Sequence, residues 1–175
     1  MADSQLKRTG CFCEWTKRMT TPAKICVHEC MTPNVVTVTE DTHLADAIRL
    51  MENRCLAALP VVDADGCLRG VLSSSDLVSF TRELQGNVSI FPLVSASARG
   101  TLANALAADN ETMTVYDAMN TEIATISQQA TLRDAARRLL ENVCHHLPVI
   151  DESRKPIGII STTDIVRVLA EQSRD

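Results

Sequence analysis

The chain carries one pattern twice, 88 residues apart. Pairing Val27–Phe80 with Val115–Val168 without a gap sets Met31 on Met119, Leu44 on Leu132, and Asp46-Ala47 on Asp134-Ala135. The same register sets Leu59-Pro60-Val61 on Leu147-Pro148-Val149, and continues through Asp63/Asp151, Gly70/Gly158, Ser73/Ser161 and Asp76/Asp164. Unrelated segments do not hold one register through so many landmarks. Two units with matching patterns bury equivalent faces and present equivalent surfaces, so a site built by one is built, in altered form, by the other. Neither half is large enough to close a core alone, so the two must pack together.

Each unit reads as a short helix, strand, helix, strand, strand, helix. In the first, Val35–Val38 is an apolar strand, followed by Leu44, Ala47, Ile48 and Met51 at the i, i+3, i+4, i+7 spacing of one helical face. Asp41 or Thr42 is placed to cap that helix. In the second unit Thr131-Leu132-Arg133-Asp134 forms a capping box, and Leu132, Ala135, Ala136, Leu139 and Val143 repeat the apolar face. A hairpin follows in each unit. Ala58–Val62 and Leu68–Ser73 flank Asp63–Gly66, and Leu147–Ile150 and Ile157–Ser161 flank Asp151–Pro156. The closing helices carry Leu77, Phe80 and Leu84, and Ile165, Val168 and Leu169. The units thus span residues 25–84 and 115–172. Residues 1–24 read as an irregular arm, and residues 85–114 as a linker with one short helix over Thr101–Ala108.

The 175 residues are 45% hydrophobic and only 3% aromatic, so the core is built from Val, Leu, Ile and Ala. A formal charge of -5 argues against general nucleic-acid binding, which needs clustered cations to displace counterions. The basic cluster Lys7, Arg8, Lys17, Arg18 and Lys24 reads as a solvated tail. Neither a signal-type apolar segment nor a stretch of about 18 apolar residues is present, which points to a cytoplasmic protein without a membrane partner. Seven cysteines, three of them in or beside core segments, fit reduced thiols. Cys11, Cys13, Cys26 and Cys30 with His28 match no compact zinc spacing, and no metal is expected.

The sharpest chemical signal is Gly70-Val-Leu-Ser73-Ser-Ser75-Asp76 and its counterpart Gly158-Ile-Ile-Ser161-Thr-Thr163-Asp164. In both, a hydrophobic strand ends in hydroxyls and a carboxylate where a helix begins. A helix N-terminus presents free N–H groups and partial positive charge suited to phosphate, and an ionised Asp suits the two hydroxyls of a ribose. Ser-x-x-Asp is also a capping box that satisfies those N–H groups with no ligand.

With Met31-Thr-Pro33, the Leu-Pro-Val strands and these two corners, the chain resembles the CBS family, named for the regulatory region of cystathionine β-synthase. The resemblance covers about Lys24–Glu171 apart from the linker. It implies an α/β (α+β) fold of two βαββα repeats packed with pseudo-twofold symmetry, with two clefts that in many members bind AMP, ADP, ATP or S-adenosylmethionine. By that likeness Asp76 and Asp164 hold ribose hydroxyls, Ser73, Ser75, Ser161 and Thr163 bond ribose or phosphate, and Val36 and Ala124 flank the adenine. A basic pair such as His-Arg often precedes the Leu-Pro-Val strand in nucleotide-binding members. Here the second repeat has His145-His146 and the first Ala57-Ala58, so His146 and Ala58 line unlike clefts.

The expectation is a stand-alone regulatory pair that binds an adenosine-type ligand, signals energy or metabolite state, forms a homodimer and acts on an unknown protein, with no cofactor beyond that ligand and no catalysis of its own. The alternative is a ligand-free interaction module. Phosphate discrimination is expected at His145 and His146, and is pH-dependent because an imidazole donates from both nitrogens only when protonated. Homodimerisation is expected through helix faces carrying Leu44, Met51, Leu132 and Leu139. Neighbours on a strand point to opposite faces, so Cys144 with His145 is poorly placed as a nucleophile–base pair.

Overall fold

The computed structural model describes residues 25–85 and 113–172. The arm over residues 1–24 and the linker helix expected over Thr101–Ala108 lie outside the described residues. The first half runs α1 (Val27–Cys30), β1 (Thr32–Pro33), β2 (Val38–Thr39), α2 (Leu44–Asn53), β3 (Ala58–Val62), β4 (Leu68–Ser73) and α3 (Ser74–Gln85). The second half repeats it as α4 (Val115–Ala118), β5 (Ile126–Ser127), α5 (Leu132–Glu141), β6 (His146–Ile150), β7 (Pro156–Ser161) and α6 (Thr162–Gln172).

The expected apolar faces form. Leu44, Ala47, Ile48 and Met51 of α2 are fully buried, and Leu132, Ala135 and Leu139 of α5 are buried. At the start of α5 the capping box closes as expected: the Asp134 amide donates to Thr131 Oγ1 at 3.2 Å and the Thr131 amide to Asp134 Oδ2 at 3.2 Å. The start of α2 differs from expectation. Its N-cap is His43, which makes no side-chain cap bond, while Thr42 Oγ1 accepts from the Thr39 amide and Asp41 accepts the Thr39 hydroxyl. Asp41 and Thr42 are spent on the turn before the helix, and the Leu44 amide donates instead to Met113 of the other half, at 3.0 Å.

Val143 is another departure. It does not continue the apolar face of α5 but sits just beyond the helix at φ 50°, 89% exposed. Here the Val143 amide donates to Leu140 and the Cys144 amide to Leu139, the two-bond closure of a Schellman motif. Cys55, its counterpart, has φ 53°, and Leu56 donates back to Met51 in the same way.

Strand β2 is shorter and later than Val35–Val38. Only Val38 and Thr39 ladder, parallel to Val61 and Val62, because the chain reaches them from another sheet: Thr32 and Pro33 pair with Ile159 and Gly158 of β7. Asn34 turns at φ 53°, and residues 34–37 bridge the two sheets. The sheet orders are β1-β7-β6-β5 and β2-β3-β4. Both hairpins form, each turn held by an Asp whose Oδ1 accepts two amides: Asp65 and Cys67 on Asp63, Ser153 and Lys155 on Asp151. Gly66 supplies a positive φ of 80° in the first.

Each half lends its leading segment to the other. Val27 donates to Ala130 at 2.8 Å and Val115 to Thr42 at 2.9 Å, two bonds related by the repeat offset. Thr32 on Ile159 is matched by the bridge between Asn120 and Val71. One core therefore joins Val115, Ala118 and Met119 to the α2–β3–β4 layer, and the other joins Val27, Cys30 and Met31 to α5–β6–β7. Gly70 and Gly158 permit this close approach. A Cβ at Gly70 would lie 2.8 Å from Met119 Sδ, and one at Gly158 would collide with Met31 Sδ. The exchange makes the halves mutually dependent and fixes the two strand-to-helix corners relative to each other.

Candidate functional site

At the first corner β4 runs into α3 without a loop, so Ser73 and Asp76 fall on the first turn. The Ser73 amide donates to Asp76 Oδ2 at 2.7 Å, the Ser73 hydroxyl donates to the same oxygen, and the Asp76 amide returns to Ser73 Oγ at 3.4 Å. The second corner copies it. Ser161 donates from its amide at 2.8 Å and its hydroxyl at 2.6 Å to Asp164 Oδ2, and the Asp164 amide returns at 3.2 Å. Each Asp is thus fixed in direction by its own Ser, with Oδ2 turned to the strand end.

The remaining oxygen separates the corners. Asp164 Oδ1 accepts from Arg167 Nη1 at 3.0 Å in an i,i+3 ion pair, and Asp164 is only 5% exposed. The repeat counterpart of Arg167 is Ser79, so Asp76 has no such cation. Sequence reading missed Arg167. The signal was present, a cation three residues after an acid on a helix.

His146 and Ala58, the first residues of β6 and β3, stand opposite Ser161 and Ser73 in the ladders, so both belong to their corners. Burial, with the neighbouring His145, pushes the His146 imidazole below its ordinary value, and the Asp164 carboxylate opposes this only in part. At neutral pH His146 therefore donates from one nitrogen, and its doubly donating form is displaced to more acid conditions than an ordinary imidazole needs. His145 and Thr163 are exposed, as is Ser75, whose Oγ lies 3.5 Å from Ser73 Oγ. Val36 and Ala124 occupy the equivalent connectors before β2 and β5, half-buried against the two cores.

Cys144 is half-buried and its thiol is pushed up by burial, opposite to the needs of a nucleophile. Among the described residues no group of three His, Cys, Asp or Glu side chains is placed to hold a metal, and Cys11 and Cys13 lie outside them. A groove of about 620 Å³, lined by residues including Thr125, Gln128, Arg138, Asp151 and Glu152, lies at the far end of β6 from Asp164. None of the expected site residues lines it.

The family model for the CBS domain matches residues 27–83 and again 115–171. The chain belongs to the CBS domain family. CBSX2 of Arabidopsis thaliana, a chloroplastic CBS domain-containing protein, is 31% identical over 155 residues, which are 85% of this chain and 65% of that protein. The crystal structure of CBSX2 in complex with AMP superposes with a TM-score of 0.64 at 30% identity, covering 85% of this chain and 98% of that one. The CBS domain pair of protein MJ0100, solved with 5′-methylthioadenosine and S-adenosylmethionine, shares the fold at 18% identity and a TM-score of 0.63, covering 85% and 98%. Inosine-5′-monophosphate dehydrogenase of Methanocaldococcus jannaschii is 24% identical over 139 residues, 79% of this chain but 22% of the enzyme. The pair is therefore also found as a minor part of a catalytic protein. Among the described residues no helix is long and apolar enough to cross a membrane.

Proposed function

We propose that this CBS pair is a non-catalytic regulatory module that binds an adenosine-type ligand at its two strand-to-helix corners. The observation that carries this reading is the repetition of one built corner in both halves, a carboxylate oriented by a serine at a helix N-terminus. AMP in the complex of the 30% identical CBSX2 supports the ligand class. In this reading Asp76 and Asp164 take ribose hydroxyls, with Ser73, Ser75, Ser161 and Thr163 nearby for ribose or phosphate. Val36 and Ala124 flank the base, Ala58 lines the first cleft, and His145 and His146 add phosphate donors to the second. The protein acts in the cytoplasm on a partner whose activity the ligand state controls.

A thermal-shift panel of adenosine, AMP, ADP, ATP and S-adenosylmethionine tests this directly. A ligand at 100 times its Kd adds about 2.7 kcal/mol of stability. At least one compound should raise the melting temperature in proportion to the logarithm of its concentration. No shift with any of the five contradicts the reading and favours an interaction module, for which the exposed Leu140, Val143 and Val166 would be the contact surface.

A further inference from the structure

We propose that Arg167 is a specificity-determining latch that makes the second corner select phosphorylated ligands while the first accepts uncharged nucleosides. The inference rests on reading the corners as ribose sites and assigns each a ligand class. An ionised carboxylate offers about four lone-pair positions. At Asp76 two are taken, both on Oδ2 by Ser73, and among the described residues no donor meets Oδ1, which leaves it for the two hydroxyls of a ribose. At Asp164 three are taken, two by Ser161 and one by Arg167, so a single position is left where a ribose needs two.

A ribose can therefore enter the second corner fully bonded only if Arg167 lets go. A nucleoside leaves the released guanidinium with water alone. A nucleotide offers it a phosphate, which accepts two parallel N–H bonds and replaces the lost carboxylate. Arg167 is suited to that transfer because its side chain is 59% exposed while that of Asp164 is 6% exposed, so the cation can swing and the acid cannot. The surroundings agree. His145, His146 and Arg167 stand at the second corner, and Ala57, Ala58 and Ser79 hold the equivalent positions at the first. Ligand charge is thus read at one corner and ignored at the other.

The two corners carry their own reporters, since the Ser73 and Ser161 amides each donate to the ribose-binding carboxylate. Following those two amide signals by NMR through titrations with adenosine and with AMP measures each site separately in the full chain. In the parent, adenosine should move Ser73 at lower concentration than Ser161, and AMP should remove that gap. Arg167→Met should tighten adenosine at Ser161 about two- to fivefold, the range of an exposed ion pair. It should weaken AMP there by about tenfold or more, for loss of charge-assisted bonds. Ser79→Arg should transfer the behaviour to Ser73. Arg167→Met leaving both affinities at Ser161 unchanged, or lowering both by the same factor, would overturn the latch while the ribose reading stands. If neither compound moves either amide in the parent, the ribose reading falls and the latch with it.

Discussion

His146 shows how partial burial of one side chain changes the chemistry a sequence announces. Its reference pKa of about 6.5 suggests a phosphate donor that switches on near pH 6. Burial at the start of β6 holds it below that value. The unfolded chain therefore takes up this proton at higher pH than the folded one. Stability is fully present above about pH 6.5 and is lost as the pH falls through that value toward the folded pKa. His146→Gln should flatten the fall in urea midpoint between neutral pH and pH 5 relative to the parent, and an unchanged slope would count against a depressed His146. The hydroxyl and carboxylate identities of the corners were legible because Ser-x-x-Asp has a fixed geometry on a first helical turn. The depth of His146 was not, since exposure of a strand's first residue depends on what packs over it, nor was the pairing of Arg167 with the site read from its spacing.

At the scale of elements, α2 and α5 were readable because apolar side chains at helical spacing have one solution that buries them. The two-residue strands were not, because β2 and β5 are defined by the partner they reach rather than by their own residues. The helix ends fall between these cases. The Schellman closures put Cys55 and Val143 in the left-handed region, where an L-residue costs about 1–2 kcal/mol and a β-branched one is especially unsuited. Val143 is 89% exposed, so removing its side chain forfeits little packing. Val143→Gly should therefore stabilise the protein by about 0.5–1 kcal/mol after the added freedom of the unfolded glycine is deducted. Urea denaturation measures this, and a loss of stability would show that the exposed side chain has a contact in the native assembly.

For the whole molecule, the repeat offset announced a paired architecture, but the exchange of leading segments between halves was hidden. Nothing local distinguishes Val27 packing on its own repeat from Val27 packing on the other; the cross-half bonds of Val27 and Val115, with Met31 over Gly158 and Met119 over Gly70, show which is made. The structure also relocates the expected dimer surface. Leu44, Met51, Leu132 and Leu139 are buried within the chain and are not free for a partner. Among the described residues Leu140 on α5 and Val166 on α6, 68% and 63% exposed on two helices that pack together, are apolar side chains left for a second copy. Light scattering should find a dimer at micromolar concentration, and Leu140→Glu with Val166→Glu should shift it to monomer. A parent that is monomeric, or a charged variant that stays dimeric, would remove this surface.

Whether Asp76 and Asp164 are ribose acceptors or helix caps alone is decided by calorimetric titration of AMP and adenosine into the parent, Asp76→Ala and Asp164→Ala. Hydrogen bonds to a charged group contribute about 1.5–3 kcal/mol each, so each variant should lose binding at its own corner by at least tenfold. Both should remain folded, since losing a cap costs about 0.5–2 kcal/mol. Folded single variants that both bind the two compounds as the parent does would reduce the corners to helix caps.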